Sequence, residues 1–162
     1  MTTGISEEDR LTLEQQVCFT LAVAAREVVS LYRPILEPLG LTHPQYLVMV
    51  TLWQVDQPIS VKQLTKLLML EAPTLSPILK RLQSAGLVER HRDPADERSL
   101  RVSLTDRGRS LRIQATKVPA AIIERLGMTV EELETLQDVL TDVIQHAKAQ
   151  QQLPPLEGED LL

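Results

Sequence analysis

The sequence is poor in cysteine, histidine and aromatic residues, and each shortage closes off a class of function. Cys18 is the single cysteine, so no disulfide can form within these residues and no Cys-x-x-Cys pair exists to grip a metal or run dithiol exchange. The three histidines, His43, His91 and His146, lie far apart without metal-ligand spacing, so no metal or other cofactor is expected. Phe19, Tyr32, Tyr46 and Trp53 are the whole aromatic complement. The core must therefore be aliphatic, and an aromatic near a site is a candidate for a special role. No window approaches the ~18 apolar residues a membrane span needs, and the first residues lack a basic stretch followed by an apolar run. A cytoplasmic protein with no membrane partner is expected.

What is present is ordinary globular material with unevenly placed charge. At 162 residues the chain suits one domain, long enough to bury roughly two thirds of the surface its unfolded form exposes. The formal net charge of −5 argues against a nucleic-acid partner until its distribution is read. Between Lys80 and Lys117 stand ten Lys/Arg against five acids, a surplus of five positive charges, so the rest of the chain carries −10. A basic module in an acidic scaffold fits a localised phosphate-binding face. On charge alone, a solvated surface reads the same way.

Apolar residues at three- and four-residue spacing, among them Leu13, Val17, Leu21, Val28, Leu31 and Ile35, predict one long helix over residues 11–37, ended by Pro38 and Gly40. Thr42-x-x-Gln45 opens a second helix as a capping box, with Thr accepting from a free N–H and Gln reaching back. After Pro58, Ser60-x-x-Gln63 starts a third, to about Met69. Past a turn around Glu71, Ala72 and Pro73, a fourth carries Leu75, Ile78, Leu79 and Leu82 on one face. Pro77 lacks an N–H, so Thr74 is the expected N-cap, which puts Pro77 in the first turn; a kink is the alternative.

The period then falls to two. Leu100-Arg101-Val102-Ser103-Leu104 alternates as a half-buried strand, residues 87–92 are its antiparallel partner, and the polar residues 93–98 form an exposed hairpin tip. Thr105-Asp106 caps a helix to about Leu126, and Thr129-x-x-Glu132 caps a last one carrying Leu133, Leu136, Leu140, Val143 and Ile144. The tail, residues 151–162, is expected to fray. The fold class is mainly α with a small β-hairpin wing (α+β).

Helix, helix, turn, helix, hairpin is the order of a winged helix-turn-helix, whose second helix enters the major groove with its N-terminal residues on base edges. With the leucines and Ile78 inward, Thr74, Ser76 and Pro77 face bases, while Lys80 and Arg81 hold phosphates. At the hairpin tip Arg98 has the length to enter a narrow minor groove. Asp96 is placed to orient it through a bidentate pair; as structure alone the two make a surface ion pair of small value. Arg90, on the first strand, joins this DNA-binding set.

The stretch Leu79-Lys80-Arg81-Leu82-x-x-x-Gly86-Leu87-Val88-x-Arg90, then Asp93-x-x-Asp96-Glu97-Arg98-Ser99, then Leu104-Thr105-x-x-Gly108, closely resembles the multiple-antibiotic-resistance (MarR) regulators. The resemblance spans the middle half of the chain. It implies an obligate homodimer on a pseudo-palindromic double-stranded operator, with a DNA-binding part at about 42–105 and dimerisation helices at about 11–37 and 106–150. Apolar stripes left over on the first and last two helices fit such an interface independently.

Toward the N-terminus, Leu13-Glu14-x-Gln16-x-Cys18-Phe19, Tyr32-Arg33-Pro34-Ile35-Leu36 and Leu39-Gly40-Leu41-Thr42-His43-Pro44-Gln45-Tyr46-Leu47 resemble the one-cysteine organic hydroperoxide sensors (OhrR-type) of that family. The resemblance implies that Cys18 is the redox sensor, that Tyr32 donates a hydrogen bond to its thiolate, and that organic hydroperoxide is the inducer. It places a second tyrosine where this chain has His43, whose imidazole also donates, and an aromatic where it has Ala22. Fourteen residues separate Cys18 from Tyr32, about 21 Å along one straight helix, so Tyr32 must reach Cys18 from the other subunit. With no second cysteine, a sulfenic acid must next meet a low-molecular-weight thiol, another molecule or further oxidant. Three alternatives stay open: release by an apolar or phenolic ligand with Cys18 inert as a small hydrophobe, a thiol enzyme using Cys18 and His43, and a helical interaction module. No oxyanion hole or Gly-rich elbow supports the enzyme.

Overall fold

Helix α1 (Glu7–Leu36) runs for 30 residues, and the chain then turns through a single 3-10 turn, Glu37–Leu39. The turn is closed by Leu41 N–H to the Leu36 carbonyl, 3.2 Å, and both leucines are buried. The computed structural model describes residues 7–55 and 57–150. Helix α2 (His43–Val55) follows, then strand β1 (Ile59–Ser60), α3 (Val61–Leu68), α4 (Ala72–Ser84), β2 (Val88–Asp93), β3 (Asp96–Leu104), α5 (Asp106–Ala115), α6 (Val118–Leu126) and α7 (Val130–Gln150). The chain divides into two compact units, one up to Ile122 and one from Ile123 on. Among the described residues no helix is long and apolar enough to cross a membrane.

The fold is the expected mainly helical one with a small antiparallel sheet. The sheet has three strands in the order β1-β3-β2, one more than the sequence suggests: Ile59 pairs with Val102 and Ser60 with Arg101. A two-residue strand has no periodicity to read, and Ser60 doubles as the N-cap of α3, where both halves of its capping box with Gln63 form. The Thr129–Glu132 box also forms on both sides. At Thr42 the backbone N–H donates to Gln45 Oε1, 2.8 Å.

Three boundaries differ from expectation. Helix α4 begins at Ala72 with Glu71 as N-cap, so Thr74 is not the cap and Pro77 lies inside the helix; the Thr74 and Leu75 N–H groups both donate to the Glu71 carbonyl. Pro73, in the first turn, fits there because its missing N–H is one the helix would not use. The helix expected over residues 106–126 is two, because the chain turns at Thr116 and Lys117 and restarts ahead of Pro119. The hairpin turn is only Pro94-Ala95, and residues 96–98 belong to β3. Asp93 pairs with Asp96 while Arg92 pairs with Leu100, which leaves residues 97–99 without partners across the hairpin, a bulge that re-aims the strand. The tail, 151–162, lies outside the described residues.

Within the first unit the core is aliphatic, as the dearth of aromatics requires: Leu36, Val48, Met49, Leu52, Leu64, Leu75, Leu79, Leu82, Val88 and Val102 are fully or nearly fully buried. Trp53 ties α2 to α5 by donating its indole N–H to the Gly108 carbonyl at 2.8 Å. Gly86, at φ +68, makes the left-handed step from α4 to the wing, and its carbonyl accepts from Thr105 Oγ1 at 2.7 Å. Helix α4 and the β2–β3 hairpin are thereby fastened to one frame.

Candidate functional site

Helix α4 presents two chemically distinct faces. Leu75, Leu79 and Leu82 are buried, and Ile78 is half-buried. Thr74, Ser76, Pro77, Lys80 and Arg81 are all exposed on the other side, as the i, i+3, i+4 pattern requires. Two hydroxyls and a proline thus stand in the N-terminal half and two cations follow, suited to base edges and phosphates respectively.

The wing is fixed to that helix by Arg90, half-buried on β2, whose Nε–H donates to Gln83 Oε1 at 2.6 Å. Arg90 therefore spends part of its hydrogen-bonding capacity inside the protein, which differs from a purely DNA-facing role. Asp96 is exposed as the first residue of β3. The backbone puts Arg98 in the bulged part of β3, past the turn and not at its tip; its side chain, and the expected Asp96–Arg98 pair with it, lie outside the described residues.

Sequence reasoning missed the group that shapes the turn. Asp93 is buried, accepts from Arg101 Nε at 2.7 Å and from the Ala95 N–H at 3.0 Å. Arg101 also donates from Nη1 to the Pro58 carbonyl at 3.2 Å. The Arg101 hydrogen bond, then that from Ala95, holds the Asp93 carboxyl below the usual aspartate range. The Asp-x-Ala contact is an Asx turn, which Asp93-Pro94 announces; nothing local announces Arg101, eight residues on.

Cys18 is exposed on α1, in a stretch where Val17, Phe19 and Leu21 are also exposed. Tyr32 and His43 come together, with ring centroids 4.6 Å apart and tilted by 57°, and Tyr46 lies 6.1 Å from Tyr32. Burial pushes the Tyr32 phenol up and the His43 imidazole down from their ordinary values, and Tyr46 is raised by burial and then by Tyr32. Both Tyr32 and His43 therefore favour neutral forms that carry a donor proton at neutral pH. Cys18 and Tyr32 share one continuous helix, so the axial separation of about 21 Å stands and the pair within one chain does not include its own Cys18.

Beside His43 opens a cavity of about 820 Å³ between the C-terminal part of α1 and the start of α2, lined by Arg26, Arg33, Glu37 and His43 together with apolar Val29 and Leu41. Its basic residues went unnoticed in the sequence, because only the α1–α2 turn brings Arg26 and Arg33 to the same wall as His43.

The chain is similar to known proteins over most of its length. A MarR family model matches residues 41–100. The chain is 36% identical over 137 residues to the organic hydroperoxide resistance transcriptional regulator of Bacillus subtilis, covering 85% of this chain and 92% of that one. AbfR of Staphylococcus epidermidis, solved bound to DNA in an overoxidized and in a reduced form, superimposes with TM-scores of 0.73 and 0.72 at 31% identity, covering 88% of this chain and 99% of that one. With a recognition helix, a wing and a first helix in that arrangement, and similarity that runs well beyond the matched segment, the chain belongs to the MarR family of transcriptional regulators.

Proposed function

We propose that the protein is a dimeric DNA-binding repressor that senses organic hydroperoxides by oxidation of Cys18 and then releases its operator. The observation that carries the DNA-binding part is the outward face of α4, with Thr74, Ser76, Pro77, Lys80 and Arg81 exposed above a buried leucine row and the wing tied to it through Gln83 and Arg90. Thr74, Ser76 and Pro77 read the major groove, Lys80 and Arg81 hold its phosphates, and the wing carries Arg98 to the minor groove. A homodimer follows from the exposed apolar residues Leu136, Val139, Val143 and Ile144 on α7 and Val17, Phe19 and Leu21 on α1, which a second copy would cover. Two-fold symmetry then matches a pseudo-palindromic operator.

The sensing part rests on the similarity to the hydroperoxide resistance regulator and on the Tyr32–His43 pair, two neutral donors side by side. Brought to Cys18 by the second copy, they stabilise its thiolate. The thiolate attacks the distal oxygen of R–O–O–H: an S–O bond forms, the O–O bond breaks, sulfur gives up two electrons, and the departing alkoxide takes a proton to become R–OH. The sulfenic acid then condenses with a low-molecular-weight thiol, losing water and leaving a mixed disulfide. That bulk at the interface shifts the dimer to a state whose recognition helices no longer match successive major grooves. Trapping the sulfenic acid with a dimedone-type reagent, alongside DNA binding on the same sample, tests this: label on Cys18 that tracks loss of binding supports it, and loss of binding without label contradicts it. The cavity beside His43 favours one other reading, release by a small apolar or phenolic ligand, in which a Cys18→Ser protein would still respond.

A further inference from the structure

Arg101 stands where the three strands of the sheet run abreast. On β3 it pairs with His91 of β2 and with Ser60 of β1, and its guanidinium reaches both flanks. Nε donates to Asp93 Oδ2 at 2.7 Å, at the end of β2 just before the Pro94-Ala95 turn. Nη1 donates to the Pro58 carbonyl at 3.2 Å, one residue before β1. Asp93 is a firm anchor: its side chain is only 12% exposed, it also accepts the Ala95 N–H, and Arg101 and that N–H hold its carboxyl below the usual aspartate range, so it is ionised at neutral pH. Residues 97–99, between the Asp93–Asp96 and Arg92–Leu100 pairs, have no partner across the hairpin, so the ladder does not set the aim of the segment that holds Arg98. The Asp93–Arg101 bond closes that segment at its base. The bond to Pro58 ties the same base to the strand whose Ser60 caps α3.

We propose that Arg101 is a positioning residue for DNA recognition: it clamps the bulged segment of β3 to the start of α3, so that Arg98 enters the minor groove in register with the α4 contacts, and it does so without touching DNA itself. The proposal rests on the DNA-binding reading above, in which the wing carries Arg98 to the minor groove. A guanidinium suits the task, because its planar fork offers Nε to one partner and Nη1 to another at fixed angles, which the single ammonium of a lysine cannot copy. Without the clamp the segment must be ordered on binding, at a cost in affinity that falls on the minor-groove contact alone.

The test is a double-mutant cycle on the full chain, with the active fraction of each protein counted by stoichiometric titration. DNA affinity is measured on a duplex selected from a random pool, with hydroxyl-radical footprinting for the minor groove and dimethyl sulfate protection of guanine N7 for the major groove. Arg101→Gln is expected to weaken binding on the order of tenfold and to erase the wing's minor-groove protection while the major-groove pattern stays. Arg101→Lys, which keeps the charge, and Asp93→Asn, which removes the partner, are expected to reproduce most of that loss. In an Arg98→Ala protein, adding Arg101→Gln should change affinity by less than about twofold. A loss that persists undiminished beside Arg98→Ala, or that Arg101→Lys restores to the wild-type value, would mean that Arg101 holds a phosphate itself and overturns the proposal. Wild-type affinity in Arg101→Gln, with Arg98→Ala impaired, overturns it too and leaves the DNA-binding reading standing. Wild-type affinity and footprint in Arg98→Ala overturn the wing's part in that reading, and the proposal with it.

Discussion

Trp53 donates its indole N–H to the carbonyl of Gly108 at 2.8 Å, and that glycine has no room for a side chain: a Cβ there would stand 2.0 Å from the Leu87 carbonyl oxygen and 3.3 Å from Leu104 Cδ2. The Leu87 oxygen cannot move aside, since it accepts the Thr105 N–H at 3.1 Å. The base of the wing and α5 thus meet by close backbone approach, and the Trp53 side chain ties α2 to that join. Gly108→Ala is expected to destabilise by at least about 1–3 kcal/mol, and Trp53→Phe, which removes a buried hydrogen bond from a carbonyl that α5 still pairs within the helix, by about 0.5–1.5 kcal/mol. Thermal unfolding checks both, at about 2–4 °C per kcal/mol. A Gly108→Ala protein melting with the wild type would show that the contact is not tight.

On α4, Lys80 and Arg81 stand outward, exposed to solvent. Replacing either by alanine is expected to weaken DNA binding to a similar degree for every sequence and to reduce the slope of log K against log salt by about one. Ser76→Ala should instead relax base preference while leaving the slope alone. Titrations at several salt concentrations on preferred and scrambled duplexes separate the two behaviours.

The wing turn should respond to acid. The Asp93 carboxyl is held below its ordinary value by Arg101 and the Ala95 N–H. A carboxyl lowered on folding stabilises the fold above its unfolded pKa, about 3.9, and loses that contribution as pH falls through the lowered folded value. Asp93→Asn is therefore expected to be less stable than wild type at neutral pH, with the gap closing below about pH 4. A gap independent of pH, measured by denaturant unfolding, would mean that the carboxylate charge plays no part.

The exposed apolar positions on α7 make the dimer testable without DNA. Val139 and Ile144 are 55% and 42% exposed in the single chain, and Val139→Asp or Ile144→Asp is expected to shift the protein toward monomer in sedimentation experiments and to lower operator affinity at least tenfold, because two half-sites are no longer held together. Dimers unaffected by both changes would place the interface elsewhere.

Much of this was legible in the chain because the relevant physics is local. The leucine row of α4 fixed its buried face, and the Ser60–Gln63 and Thr129–Glu132 boxes marked where α3 and α7 begin. Misreadings arose where a distant contact or a short element decided the outcome. A proline disfavours a helix interior, which points to Pro77 as a first-turn residue, yet Glu71 starts the helix earlier. The polar residues 93–98 suggest a long wing tip, whereas the turn is only Pro94-Ala95, with Asp93 bonded to Arg101 across it. Tyr32 and His43 could be named from resemblance, but their contact depends on the turn between α1 and α2, and the Arg26–Arg33 wall emerges only once that turn is made.

Under the proposed function, oxidation of Cys18 governs DNA release. Its most direct measurement is the DNA affinity of wild-type and Cys18→Ser proteins before and after treatment with cumene hydroperoxide and a small thiol, on a duplex selected from a random pool. At least a tenfold loss of affinity is expected in the wild type, reversed by reductant, with no loss in Cys18→Ser. Unchanged wild-type affinity, or an equal loss in Cys18→Ser, would contradict it.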